Sequence, residues 1–309
     1  KVVTAITALD ILEEDSLVEI RSSDLTEGND SAFVTGSHFK LKDILMNRVF
    51  LFPGQGSQVV GMGKDLHDSF SVAREVFEEV DDALSYNLSK IIFEGDIDLL
   101  TRTENTQPAL MAVSVALTRV MRQQSKKDLP ELCSFVAGHS LGEYSALCAA
   151  GSIALKDTAK LLSIRGRAMQ EACLPGQGGM VACLGTPIAE LENIIVSIGN
   201  CQIANDNSLE QIVVSGEMAA IDLLTETLKN MGKKAIKLKV SAAFHSNLME
   251  PARIKMKEAL EEVTIMKPAV PIIANILARD ITDPLMIKNA LIEQVTGRVR
   301  WRETMDFLA

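Results

Sequence analysis

The chain has 309 residues, of which 47% are hydrophobic and 23% charged, and carries a formal net charge of −10. This is the composition of a globular protein with one large core, or a large core and a smaller insertion, and it excludes a disordered or fibrous chain. The acidic balance without a dominant basic stripe argues against nucleic acid as a partner, and no apolar run reaches the roughly 20 residues of a membrane span.

The chain opens with a stretch, residues 1–45, unlike the rest. It is acidic at Asp10, Glu13, Glu14, Asp15 and Glu19 and has little hydrophobic periodicity. That acidity does not suit a transit peptide, and no basic-then-apolar signal pattern is present. It reads as an N-terminal extension of unknown role, with the main domain starting near Met46. A strand is predicted over 48–52, followed by the turn Pro53-Gly54-Gln55-Gly56-Ser57-Gln58. Helices are predicted over 71–84 and 108–121, the second with Pro108 in its first turn. A buried strand over 133–137 runs into Gly138-His139-Ser140-Leu141-Gly142, and helices follow over 143–150 and 155–173. Residues 177–240 have a separate rhythm: strand 180–184, helix 188–198, strands 202–204 and 212–215, helix 219–231 and strand 235–240. That β-α-β-β-α-β order is the ferredoxin-like pattern, of a size suited to an inserted domain. Beyond it come Phe244-His245-Ser246, a helix to about residue 263, a strand over 270–274, a helix over 285–294, and a last helical stretch from Trp301.

Five cysteines, Cys133, Cys148, Cys173, Cys183 and Cys201, are widely spaced with no C-x-x-C pair. Neither a zinc site nor a disulfide framework is indicated. They read as small core hydrophobes in a reducing compartment, so a cytoplasmic setting is expected. Two clusters of positive charge stand out: Lys233, Lys234, Lys237 and Lys239, and Arg298, Arg300 and Arg302. Either is a docking patch or simply a set of solvated charges.

The strongest chemical signal is Gly138-x-Ser140-x-Gly142 between a strand and a helix, the nucleophile-elbow pattern. The turn is sharp, its flanking residues must be small, and the serine hydroxyl stands at a helix N-terminus where N–H groups can stabilise an oxyanion. A serine needs a base. Of four histidines, His38 lies in the extension, His67 in a polar stretch expected at the surface, and His139 beside the serine with its ring directed away. His245 remains as base by elimination, with a core or loop histidine as the competing reading. Arg165, on a helix whose other face is apolar, would suit a carboxylate on an acyl-serine; read alone, it is taken as a solvated arginine like Arg167. The Gly54–Gly56–Gly61 spacing fits neither G-x-G-x-x-G nor a P-loop, and a main-chain N–H near Gln55 serves better as a second oxyanion-hole donor.

Taken together, Phe52-Pro53-Gly54-Gln55-Gly56-Ser57-Gln58, Gly138-His139-Ser140-Leu141-Gly142-Glu143, Arg165-Gly166-Arg167-Ala168-Met169 and Ala243-Phe244-His245-Ser246 occur in the order seen in malonyl-CoA:acyl carrier protein transacylases, which the chain resembles from about Met46 to Ala309. The resemblance implies an α/β fold: an α/β-hydrolase-like large domain with a parallel sheet (46–176 and 241–309) and an inserted ferredoxin-like small domain (177–240). It implies that Ser140 carries the acyl group, His245 acts as base and then acid, the N–H groups of Gln55 and Leu141 form the oxyanion hole, and Arg165 holds the malonyl carboxylate. Gln294 matches the position whose backbone carbonyl orients the histidine. Asn205 and Asn207 match an asparagine pair near the site, and Phe244 resembles the malonyl-selecting version of its motif, crowding a 2-methyl group. The family's further Gly-Pro-Gly-containing segment past Ala309 and a counterpart to residues 1–45 are departures.

The reaction implied is ping-pong transfer of malonyl from malonyl-CoA to the phosphopantetheine thiol of an acyl carrier protein, by a monomer with no metal and no bound cofactor. Lys233 and Lys234 are the candidate carrier-docking residues. Two rivals stand beside this reading: a serine thioesterase, told apart by malonate release, and a non-catalytic acyl-binding module, told apart by failure to label Ser140.

Overall fold

The computed structural model describes residues 48–174, 176–238, 240 and 242–309, together with the backbone of two short strands, β1 (Leu17–Glu19) and β2 (His38–Lys40), which pair antiparallel. The remainder of the expected 1–45 extension, and Lys239, lie outside the described residues.

Strand β3 (Val49–Phe52) is followed by α1 (Lys64–Ser69), α2 (Ser71–Leu84), α3 (Leu88–Glu94), α4 (Ile97–Thr101), α5 (Thr103–Ser125) and α6 (Leu129–Leu132). The predicted 71–84 helix is α2, which buries Ala73, Val76, Phe77 and Val80, one stripe of a 3.6-residue period. Residue His67, expected at the surface, packs its ring 5.1 Å from Phe93 and 5.9 Å from Phe77.

Helix α5 corrects one prediction. It starts at Thr103, so Pro108 lies inside it rather than in its first turn. The polar run Thr103–Gln107 falls outside the helix predicted over 108–121, but its side chains find tertiary partners. Asn105 Nδ2 donates to Leu99 O at 2.9 Å and Thr106 Oγ1 to Leu100 O at 2.5 Å. These bonds to α4 hold the turns that precede the proline, whose missing N–H would otherwise weaken them.

Strand β4 (Phe135–Gly138) pairs parallel with β3 and with β9 (Ile272–Ala274), and β10 (Arg279–Ile281) closes the sheet antiparallel, in the order β10-β9-β4-β3. Helices α7 (Leu141–Ala149) and α8 (Leu155–Glu171) pack with α5 in the main core. The fold is therefore α/β, with a sheet containing parallel strands.

A second sheet follows: β5 (Gly178–Leu184), α9 (Ile188–Ile198), β6 (Cys201–Ser208), β7 (Gln211–Glu217), α10 (Met218–Asn230) and β8 (Lys234–Lys237). All neighbours are antiparallel, in the order β6-β7-β5-β8. Alternation along β5 sends Val181 and Cys183 into a core with the helices, and Met180 and Ala182 to the opposite face with Val240 and Phe244.

Beyond Phe244, a 3₁₀ turn (Asn247–Met249) leads to α11 (Glu250–Glu261), and the chain finishes with α12 (Pro284–Gln294) and α13 (Trp301–Leu308). The second sheet is tied to this end: Asp206 N donates to Val299 O at 2.9 Å, Val299 N to Ala204 O at 2.8 Å, and the buried Asp206 carboxylate accepts from Arg298 and Arg302. With Arg300 paired to Glu303, the Arg298–Arg302 cluster is bound into carboxylates and forms no open patch of unpaired charge.

Candidate active site

At the end of β4 the chain turns through Ser140, whose φ of 53° and ψ of −110° fall outside the ordinary regions. Such a conformation costs on the order of 1–3 kcal/mol and persists only where the surroundings enforce it. Two glycines make the turn possible. A Cβ at Gly138 would lie 1.9 Å from Gly142 O, and one at Gly142 would lie 2.4 Å from Phe52 O. The serine hydroxyl is thereby held at the head of α7.

Ser140 Oγ lies 2.8 Å from His245 Nε2. His245 Nδ1 faces two acceptors, Gln294 O at 2.9 Å and Gly297 O at 3.1 Å. Carbonyls only accept, so the ring proton sits on Nδ1 and Nε2 is left bare to take the proton of Ser140. Backbone carbonyls thus occupy the place an aspartate holds in a Ser-His-Asp triad. Burial, and then the Arg165 cation, hold the imidazole pKa down at about 3, so it is neutral at rest.

Arg165 is 1% exposed, whereas the Arg167 side chain is 63% exposed. This removes the solvated-arginine alternative for Arg165. Its Nη1 donates to Gln107 Oε1 at 2.8 Å, and its Nη2 to Gln294 Oε1 at 2.9 Å and Ser140 Oγ at 3.1 Å, while Nε has no hydrogen bond among the described residues. The Tyr144 ring lies 5.7 Å from the guanidinium. Burying a cation against neutral oxygens alone is costly. Such a guanidinium is a ready receptor for an anion next to the serine.

The buried Glu143 carboxylate accepts from Gln294 Nε2 at 2.8 Å and from Asn275 N at 3.2 Å. Burial outweighs these bonds and pushes its pKa up to about 7. The Gln294 amide also donates to Ser140 O at 2.9 Å, so Gln294 contacts the site through both its backbone and its side chain.

A cavity of about 140 Å³ is lined by Ser140, His245, Arg165, Gln55, Leu141 and Phe244, with Asn205 also at its wall. It adjoins a larger one of about 560 Å³ that shares Gln55 and Phe244 and is flanked by Arg102 and Arg167. The Leu141 N–H heads α7, in the turn where helix N–H groups lack intrahelical partners. The structure therefore gathers Ser140, His245, Arg165, Gln294, Gln55, Leu141, Phe244 and Asn205 at one place.

Asn207 is different. It falls in a register shift of β6, a feature that re-aims side chains. Its Oδ1 meets His139 Nε2 at 2.9 Å and its Nδ2 donates to Gln211 at 3.0 Å. It braces the histidine beside Ser140 instead of facing the cavity. The lysine cluster lies on and near β8: Lys233 pairs with Glu190 at 2.8 Å, Lys237 pairs with Asp222, and Lys234 is exposed on this edge strand.

Residues 49–306 match the acyl transferase domain family. The chain is 43% identical over 264 residues to the malonyl CoA-acyl carrier protein transacylase of Bacillus subtilis strain 168, covering 84% of this chain and 82% of that protein. It is 38% identical over 264 residues to the enzyme of the same name from Escherichia coli K12, covering 84% of each.

The chain belongs to the malonyl CoA-acyl carrier protein transacylase family.

Among solved structures, the acyl-carrier-protein S-malonyltransferase of Bartonella henselae superposes with a TM-score of 0.83 at 54% identity, covering 85% of both chains. A malonyl-transacylase in complex with its type II polyketide acyl-carrier protein superposes with a TM-score of 0.80 at 37% identity, covering 84% of both.

Three residues at this family site escape sequence reasoning. Gln107 holds Arg165 but sits in the polar start of α5, outside the helix predicted over 108–121. Asn275 follows β9, and a polar residue ending a buried parallel strand is the signal that points to it, because ligands of α/β sheets bind beyond the carboxyl ends of such strands. Gln202 donates to His245 O at 3.2 Å and Thr296 O at 3.0 Å, steadying the histidine loop; nothing local in the sequence marks it.

Proposed function

We propose that this chain transfers malonyl from malonyl-CoA to the phosphopantetheine thiol of an acyl carrier protein through a malonyl-Ser140 intermediate. The observation that carries it is the convergence of an imidazole at 2.8 Å and a buried guanidinium at 3.1 Å on one serine oxygen. A hydrolase of neutral esters has no use for that arginine.

Ser140 Oγ attacks the thioester carbonyl as its proton passes to His245 Nε2. The oxyanion is received by the N–H groups of Gln55 and Leu141, and Arg165 holds the distal carboxylate. The C–S bond breaks, and the departing coenzyme A sulfur takes the proton from His245. The carrier's thiol then repeats these steps in reverse on the acyl-serine. Phe244, at the wall of the small cavity, disfavours a 2-methyl branch, by about 1–3 kcal/mol. The larger adjoining cavity suits the pantetheine arm, which each partner brings with it, so the reaction needs no resident cofactor.

The sheet orders and the β-α-β-β-α-β succession support an α/β-hydrolase-like large domain, 46–176 and 241–309, with a ferredoxin-like small domain at 177–240. A monomer in the cytoplasm is the matching physical state; among the described residues no helix is long and apolar enough to cross a membrane. Because β8 leads directly into Leu238 and Val240 at the cavity wall, we place carrier docking on its exposed lysine. Lys234→Glu is expected to raise KM for the carrier several-fold with KM for malonyl-CoA unchanged; equal carrier KM values would remove this surface.

Intact mass spectrometry after mixing with malonyl-CoA tests the function. A malonyl adduct that disappears in Ser140→Ala, and that passes to carrier thiol faster than malonate is released, is expected. Malonate release without transfer would make the chain a thioesterase.

A further inference from the structure

The strained turn at Ser140 is clasped by a side chain that the reaction itself does not use. Asn275 Oδ1 accepts from Ser140 N–H at 2.7 Å, and Asn275 Nδ2 donates to Gly138 O at 2.7 Å. The partners dictate the amide's orientation: the serine N–H must face the oxygen and the glycine carbonyl must face the NH₂ group. Asn275 is fully buried and its own backbone is anchored. Its N–H donates to Glu143 Oε2 at 3.2 Å, and its carbonyl accepts from Arg300 N–H at 2.9 Å.

From this geometry we propose that Asn275 is the positioning residue of the nucleophile. It bridges the backbone on either side of His139, so the turn cannot relax toward an ordinary conformation and the hydroxyl stays aimed at His245. It has a second effect. The Ser140 N–H is already bonded to Asn275 and is withdrawn from the oxyanion hole, leaving that role to the Gln55 and Leu141 N–H groups. Glu143 extends the same brace, since it accepts from both Asn275 and Gln294, and Gln294 in turn donates to Ser140 O. Ser140 is thus held at its N–H by the Asn275 side chain and at its C=O by the Gln294 side chain, and one carboxylate accepts from the Asn275 backbone N–H and the Gln294 amide.

This inference rests on the acyl-serine reading above, and its test separates the two. Single-turnover acylation of Ser140 by malonyl-CoA, followed by rapid-quench mass spectrometry, yields a rate constant and a half-saturating concentration. In Asn275→Ala the rate constant is expected to fall by about 10- to 100-fold, while the half-saturating concentration stays within about 3-fold, because Arg165 and the cavity walls are untouched. An unchanged rate constant, or a loss seen mainly in saturation, would overturn the proposal. Asn275→Asp keeps an acceptor toward Ser140 N–H but sets a second acceptor, in place of the donor, against Gly138 O. Its rate constant is expected to fall well below that of the native protein, and it decides the matter should the alanine variant fail to fold; a native-like rate would overturn the bridge. Labelling of Ser140 by a fluorophosphonate should give the same ranking without malonyl. Native protein that labels with the fluorophosphonate but refuses malonyl-CoA would sink the transacylase reading and leave the role of Asn275 standing or falling on the labelling rates.

Discussion

At the scale of single residues, charge burial governs the site. Arg165 is held by neutral oxygens, and on the proposed reading the carboxylate it lacks arrives with the substrate. Replacing it with alanine leaves a malonyl carboxylate buried and unpaired, a loss of about 3–5 kcal/mol for a well-buried pair. The kcat/KM ratio for malonyl-CoA over acetyl-CoA is expected to collapse in Arg165→Ala; a preserved ratio would remove the arginine from recognition. The two buried titrating groups beside it respond to pH in opposite senses. His245 has its pKa depressed from 6.5 to about 3, so the unfolded chain binds its proton more tightly, and its contribution to stability is lost as pH falls below 6.5. Glu143 is raised from 4.5 to about 7, so the folded chain binds that proton more tightly, and its contribution, present below pH 4.5, is lost as pH rises through 7. Glu143→Gln removes only the second effect. The melting temperature of the variant relative to the native protein is therefore expected to be higher at pH 8 than at pH 5, and a difference independent of pH would show that Glu143 does not titrate in this way.

At the scale of elements, the nucleophile depends on how closely a loop, a strand and a helix approach. The β3 end, the β4 end and the head of α7 meet where Gly138 and Gly142 leave no room for a methyl group. Gly54 completes the fit, since a Cβ there would lie 2.9 Å from both His139 Nδ1 and His139 O. The atoms that Gly138 and Gly142 would meet are backbone, which does not swing aside as a flexible side chain does. Gly142→Ala, which would press on Phe52 O, is expected to lower the melting temperature and to abolish acylation of Ser140 together. A variant that melts normally and still acylates would show that the turn tolerates more space than its geometry allows.

At the scale of the whole molecule, the second sheet forms one wall of the site through Met180 and Asn205, and its placement relies on the C-terminal end of the chain. The Asp206 carboxylate is fully buried between Arg298 and Arg302, whose side chains are about a quarter exposed. Removing it strands two partly buried cations. Asp206→Ala is expected to cost about 3 kcal/mol, the lower end for a broken buried pair because the arginines can reach water. The midpoint of urea unfolding measures it, and an unshifted midpoint would show that the tie contributes nothing.

The amino-acid sequence by itself singled out the serine and the histidine that the fold brings within 2.8 Å of each other, and the short-range elements around them. The Gly-x-Ser-x-Gly turn, the histidine after Phe244 and the periodicity of α2, α9 and α10 all depend on neighbours within a few residues, and local sterics and hydrophobic spacing record such contacts directly. The helical start of α5 was not legible, because its polar residues are stabilised by carbonyls of another helix. The same is true of the arginine: Arg165 and Arg167 sit two residues apart in one helix, and only packing decides which is buried beside Ser140 and which faces water. The lysine and arginine clusters were readable as docking patches or as solvated charges until the fold supplied carboxylates to most of them. Asn275, Gln107 and Gln202 act on residues far along the chain, and a single buried amide carries no signature of the distant peptide it will hold. Local chemistry announced the hydroxyl and the imidazole; tertiary packing alone decided how the two meet and which buried cation is left without a carboxylate bonded to it.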